Sequence, residues 1–155
     1  MEKNVEYAVY FYIVEHFTSN NLFHPNHPGS IANHLTATAI IQLFDIWLQA
    51  ANKQELSAVC FLDQSAAYDL LCHEILEKKL KLYNFDVNSI SWLMSYLGNR
   101  TQVVKVESKI SCMLPCGDFG VPKGSVLGGL LQVINCNDLP ACHNTGEGVV
   151  FVNDN

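Results

Sequence analysis

Arginine is nearly missing from this sequence: Arg100 stands alone among 155 residues. Charge of either sign is scarce, at 15% of residues, well under the usual quarter of a globular chain. Apolar residues make up 49%, which excludes a disordered tail and allows a sizeable core in a chain the size of one ordinary domain. Lys and Arg number 9 against 15 Asp and Glu, for a formal net charge of −6. Taken as an average, that balance lacks the basic face expected of a nucleic-acid binder. Long apolar runs are absent too. The longest near the start, residues 7–14, ends at Glu15, against the ~20 residues a bilayer span needs. Glu2 and Glu6 surround Lys3, and no small-residue cleavage site follows, so a signal peptide is not indicated. These absences favour an intracellular protein, of cytoplasm or nucleus, with no membrane partner. The six cysteines (Cys60, Cys72, Cys112, Cys116, Cys136 and Cys142) are then expected to be reduced thiols. No internal repeat and no low-complexity tract is present.

The average charge hides an asymmetry. Residues 1–77 carry Lys3 and Lys53 against nine carboxylates, a net of −7. Residues 78–125 carry seven cations (Lys78, Lys79, Lys81, Arg100, Lys105, Lys109 and Lys123) against Asp86, Glu107 and Asp118, a net of +4. Residues 126–155 hold three acids and no cation. A basic middle between acidic ends keeps a nucleic-acid partner in play.

Periodicity predicts helices over residues 2–18, 36–51 and 73–83. A further helix over 89–97 is expected to be N-capped by Asn88 and stopped by Gly98. Residues 56–62 read as a buried strand ending at Asp63, and 149–152 as a last β-branched strand. Residues 101–107 alternate, with Gln102, Val104 and Val106 on one face, and can pair with 110–114 across Ser108-Lys109. A glycine-punctuated loop, 117–124, precedes a helix over 125–135. The order predicts an α+β chain with an antiparallel sheet.

Two apolar strands thus end in polar residues, Asp63 and Asn153-Asp154. If the strands lie side by side, Asp63 and Asp154 converge, and such carboxylates suit two Mg2+ ions; the alternative is that each caps a turn. Gly120-Val121-Pro122-Lys123-Gly124-Ser125 is not a Walker loop. Its glycines and the free amides of a helix start suit phosphate, and an ordinary loop-to-helix turn is the other reading. Cys112, Cys116, Cys136, Cys142 and His143 have loose zinc-site spacings. His24, His27 and His34 read as loop histidines.

Taken in order, the segments resemble the reverse transcriptase domain of non-long-terminal-repeat (LINE-type) retrotransposons. FLDQSAAYDLLCHEIL resembles FLDLSKAFDxVDHxIL, and GVPKGSVLGGLL resembles GVPQGSVLGPLL. SYLGNRTQVVKVESKIS is similar to the connecting region in which SYL-x-x-R runs into a hairpin. VVFVNDN is similar to the FADD strand-turn, and NNLFHPNHPG to the fingers segment before the first motif. The resemblance implies a right-handed polymerase: a fingers segment over 1–52 and a palm segment over 53–155, truncated at the last catalytic motif with the thumb absent. It implies RNA-directed DNA synthesis, with an RNA template, a DNA primer, deoxynucleoside triphosphates and two Mg2+ ions. Asp63, Asn153 and Asp154 would be catalytic, with Asp63 and Asp154 on the metals. Gln64, Tyr68, Pro122, Lys123, Gly124 and Ser125 would meet the nucleotide, Tyr68 as the steric gate against a 2′-OH.

The departures from the family pattern bear on activity. Asn153 stands where an aspartate is usual, Lys123 where glutamine is, and Ala66 where lysine is common. The fingers pattern Q-x-G-F-R is here His27-Pro28-Gly29-Ser30-Ile31, without its arginine. The expectation is a reverse transcriptase fragment by descent, inactive in this copy. The alternative is a non-enzymatic retroelement remnant with weak nucleic-acid binding through 78–125, and a small zinc module is a third reading.

Overall fold

The structure, a computed structural model, describes residues 3–24, 36–58 and 64–139. Among them are five helices: α1 (Lys3–Ser19), α2 (Thr36–Asn52), α3 (His73–Leu82), α4 (Val87–Leu97) and α5 (Val126–Cys136). Four two-residue strands, β1 (Thr101–Gln102), β2 (Lys105–Val106), β3 (Lys109–Ile110) and β4 (Leu114–Pro115), lie between α4 and α5. The described chain is mixed α and β with small antiparallel ladders, as expected at that level. Two compact units divide it: Met1–Tyr7 with Ala66–Asn135, and Ala8–Ser65 with Cys136–Asn155.

Helix ends follow from local chemistry. α1, α2 and α3 each close with a residue of positive φ, namely Asn21, Gln54 and Asn84. The next amide returns to the helix in each case: Leu22 to the Phe17 carbonyl, Glu55 to Ala50 and Phe85 to Leu80. This is the Schellman closure, which satisfies carbonyls that the last turn leaves orphaned. α4 corrects the expected cap. Asp86, not Asn88, caps it, and the helix starts at Val87. The Asp86 carboxylate accepts from the Asn88 and Ser89 amides at 2.9 and 3.1 Å and from the Ser89 hydroxyl at 2.5 Å. Asn88 sits inside the first turn and donates to the cap. Gly98 does end α4, but its backbone is extended, and Asn99 takes the left-handed turn.

The hairpin forms, with two corrections. Its turn is Glu107-Ser108, because Val106 pairs with Lys109 and Lys105 with Ile110. Glu107 takes the positive φ that a tight turn requires. The pairing is also split. Thr101 and Gln102 pair with Pro115 and Leu114, and between the two ladders the Val104 amide donates to the Ser111 hydroxyl, 2.9 Å away. A side chain there replaces a ladder carbonyl. Residues 101–115 are exposed throughout, so the alternation of Gln102, Val104 and Val106 marks no buried face.

In the first unit, α3 packs against α4. The fully buried Leu76 and Leu80 of α3, Leu93 and Leu97 of α4, and Leu127, Leu131 and Ile134 of α5 make its core. The Lys79 ammonium donates to the Asn135 carbonyl at the end of α5. In the second unit Phe17 is fully buried and its ring lies 4.8 Å from that of Phe23. Buried Asn137 fastens the chain after α1 there: its side chain donates to the Leu22 carbonyl and accepts from the His24 amide. Residues 56–58 carry no regular structure. The rest of that expected strand, the strand over 149–152, and His27, His34, Cys60, Cys142 and His143 lie outside the described residues. Among the described residues, Cys72, Cys112 and Cys116 are free thiols.

Candidate functional site

Two of the sequence motifs are bonded to each other through their backbones. Residues 68–73, leading into α3, run antiparallel to 118–121. The Gly120 amide donates to the Leu71 carbonyl and the Val121 amide to the Tyr68 carbonyl, both at 2.8 Å. The His73 amide donates to the Asp118 carbonyl at 3.1 Å. That last bond satisfies one orphan donor of α3, whose N-cap residue Cys72 makes no side-chain cap. Gly120 is required at the crossing. Its φ is +78°, and a Cβ there would lie 3.0 and 3.1 Å from the Tyr68 and Asp69 carbonyl oxygens.

From this crossing the loop runs through Pro122, Lys123 and Gly124 to the head of α5. Ser125 is the cap, as its sequence position suggests: its hydroxyl accepts from the Gly128 amide at 3.0 Å and donates to the Pro122 carbonyl at 2.7 Å. The next amide is taken by a residue that sequence reasoning missed. Glu6, only 6% exposed, accepts from the Val126 amide at 2.7 Å. A carboxylate is favourable at a helix N-terminus, where amide dipoles point outward. No local pattern announces a partner 120 residues away; a lone acid on the apolar start of α1 was the one available sign. Tyr96 of α4 completes this cluster. Its hydroxyl is buried without a hydrogen-bonding partner. Burial pushes the Tyr96 phenol above its usual range, the nearby Ser125 hydroxyl pulls it back, and the Glu6 carboxylate pushes it further up.

The cations of the basic middle are largely committed within the fold. Lys78 and Lys81 pair with Glu74 and Glu77 one turn earlier, each at 2.6 Å. The Lys78 partner holds the Glu74 carboxyl below its usual range. Lys123 bonds Asp69 at 2.7 Å. Arg100 donates through Nε to the Leu97 carbonyl at 2.8 Å and through Nη2 to the Gly120 carbonyl at 2.6 Å. Of the seven cations in residues 78–125, Lys105 and Lys109, flanking the hairpin turn, are the two whose ammonium groups have no partner among the described residues.

Of the residues singled out in the sequence, Tyr68, Pro122, Lys123, Gly124 and Ser125 belong to one unit. Tyr68 joins the loop by its carbonyl, and Lys123 joins Asp69, one residue further along. Gln64 belongs to the other unit, where its side-chain oxygen lies 3.9 Å from the Cys136 thiol. Asp63, Asn153 and Asp154 lie outside the described residues. Among those described, no cluster of three or more His, Cys, Asp or Glu side chains could hold a metal ion. No described helix is long and apolar enough to cross a membrane.

The fold and this clasp define a mixed α/β chain in which a glycine loop at a helix head is fixed to an aspartate-bearing motif. Three proteins of Drosophila melanogaster are similar to it. "Probable RNA-directed DNA polymerase from transposon BS" is 35% identical over 121 residues, covering 77% of this chain and 13% of that protein. "Probable RNA-directed DNA polymerase from transposon X-element" is 33% identical over 117 residues, 75% of this chain and 13% of its own length. "RNA-directed DNA polymerase from mobile element jockey" is 31% identical over 113 residues, 72% of this chain and 12% of its own. No protein-family model and no solved structure matches. The chain belongs with the reverse transcriptases of LINE-type retrotransposons and corresponds to part of one, spanning about 13% of the length of the relatives it matches.

Proposed function

We propose that the chain is a fingers-palm piece of an RNA-directed DNA polymerase, with fingers over 1–52 and palm over 53–155, whose own copy of the active site is crippled. The observation that supports this best is the clasp. Gly120 and Val121 of GVPKGS are hydrogen-bonded to Leu71 and Tyr68 of the segment that begins at Asp63. Tyr68 would lie under the sugar of an incoming deoxynucleotide, with the Gln64 carbonyl nearby. Residues 122–125 would lie along nucleotide and template. Asp63 and Asp154, with the Asn153 amide oxygen, would hold two Mg2+ ions. When bound, such ions activate a primer hydroxyl and offset phosphate charge. Asn153 brings no negative charge to that site, and losing one preorganised electrostatic group costs on the order of 10²–10³ in rate.

Primer extension on an RNA template in Mg2+ tests the activity. The 155-residue chain is expected to give no product, and templated, processive synthesis would overturn the inactivity. Mn2+ titration read by paramagnetic broadening tests the site. Resonances of residues 64–69 should broaden in the parent and not in Asp63→Ala; no broadening in the parent would remove the metal assignment. A second reading, a non-enzymatic remnant that binds nucleic acid weakly, is favoured by the unpartnered ammonium groups of Lys105 and Lys109 at an exposed hairpin tip. Its measure is salt-sensitive RNA affinity.

A further inference from the structure

We infer that His73 and Arg100 are positioning residues for the 120–125 loop, acting together on the carbonyl of Gly120. Three segments distant in sequence meet at that atom. His73 Nε2 lies 2.8 Å from the Gly120 oxygen in a buried setting, and Arg100 Nη2 lies 2.6 Å from it. Nη2 also reaches the Phe119 carbonyl at 3.3 Å, while Nε is fixed on Leu97 at the end of α4. A carbonyl oxygen has two lone pairs, so the two donors fill its capacity. The Gly120 amide is bound in turn to the Leu71 carbonyl. Both polar groups of Gly120 are therefore held, at the residue that opens the loop. Because a carbonyl only accepts, the His73 Nε2 must carry the proton.

The placement is expensive for a purely structural contact. His73 is 8% exposed at the first position of α3, and a buried imidazole is tolerated when its polar atoms are paired. What the pair secures is the orientation of one peptide at a left-handed glycine, and with it the direction in which Val121 to Ser125 leave. Both side chains bond backbone carbonyls, so each acts through the loop. The functional weight of the inference rests on the nucleotide reading proposed above, while the positioning itself does not.

The test uses the full 155-residue chain labelled with 15N. The His73 ring should show a protonated Nε2, and an Nδ1–H tautomer would overturn the assignment. His73→Leu should raise amide exchange at Gly120 and Val121 about tenfold while the α4 amides hold. His73→Gln, which returns a donor nitrogen, should recover much of the protection. Arg100→Lys keeps the charge and loses Nη2, and should loosen the same two amides by itself; it carries the test if His73→Leu does not fold. Unchanged exchange at Gly120 and Val121 in the folded variants would overturn positioning. A titration with a deoxynucleoside triphosphate separates the two claims. Shifts confined to 120–125 in the parent support the nucleotide reading. Their absence removes that reading and leaves the positioning to be judged by exchange alone.

Discussion

Gly120 and Gly124 share a positive φ, +78° and +75°, but differ in their surroundings. An added Cβ at Gly120 meets backbone of Tyr68 and Asp69, whereas at Gly124 nothing lies within 4 Å. Gly120→Ala should therefore cost about 2 kcal/mol or more, and Gly124→Ala about 1 kcal/mol from backbone strain alone. Denaturant unfolding of the two variants checks the order, and equal costs would refute the close approach. Tyr96 gives a second prediction at this scale. Its folded-state value is raised, so the folded chain keeps the phenolic proton after the unfolded chain has lost it. Stability is then full below the ordinary tyrosine range and falls as pH rises through the raised value. Tyr96→Phe should flatten that alkaline loss. At neutral pH it should leave the melting temperature unchanged or higher, since the hydroxyl it removes has no partner. A drop of several degrees would show that the hydroxyl is bonded after all. Ser125 as a cap was legible from one residue and its position. Glu6 was not, because its bond to the Val126 amide spans 120 residues.

α4 was legible in its core face and blurred at its start. Ile90, Leu93 and Leu97 are buried as their spacing predicts. Its cap was misplaced because Asp86 and Asn88 are both good capping types, and what decides is which side chain finds free amides two and three residues ahead. Asp86 finds those of Asn88 and Ser89, and these bonds, the Ser89 hydroxyl first, hold its carboxyl below the usual range. A lowered folded-state value gives stability that is present above the ordinary aspartate value and lost as pH falls through the folded one. Asp86→Ala should thus lower the melting temperature by a few degrees at neutral pH. The gap from the parent should close in acid, and a gap that persists there would mean the carboxylate is not the cap. The hairpin shows the same division. Alternation announced that strands exist, and the Val106–Lys109 pairing, set by a turn at Glu107-Ser108, decided the register.

For the whole molecule, the charge distribution changed meaning once neighbours were known. The sequence offered seven cations over residues 78–125. Lys78, Lys81 and Lys123 are paired with carboxylates, and Lys79 and Arg100 with backbone carbonyls. Any RNA affinity of this basic middle should therefore reside in Lys105 and Lys109. Their joint replacement by Ala should abolish salt-sensitive binding, whereas Lys123→Ala should reduce it less, because Lys123 already bonds Asp69. With two phosphate contacts the slope of log affinity against log salt should be about −1.4 for a single strand. A steeper slope, or a Lys123 effect as large as the double variant's, would point to a wider surface. By itself the sequence determined the helices, the hairpin and the family, since each is written in local spacing or in motifs that keep their order along the chain. Which groups are already spoken for was decided by tertiary structure alone. The lone arginine turned inward to the Gly120 carbonyl and Glu6 turned to the head of α5. Both of these bonds end on backbone groups, which nearly every residue carries alike and no sequence pattern distinguishes.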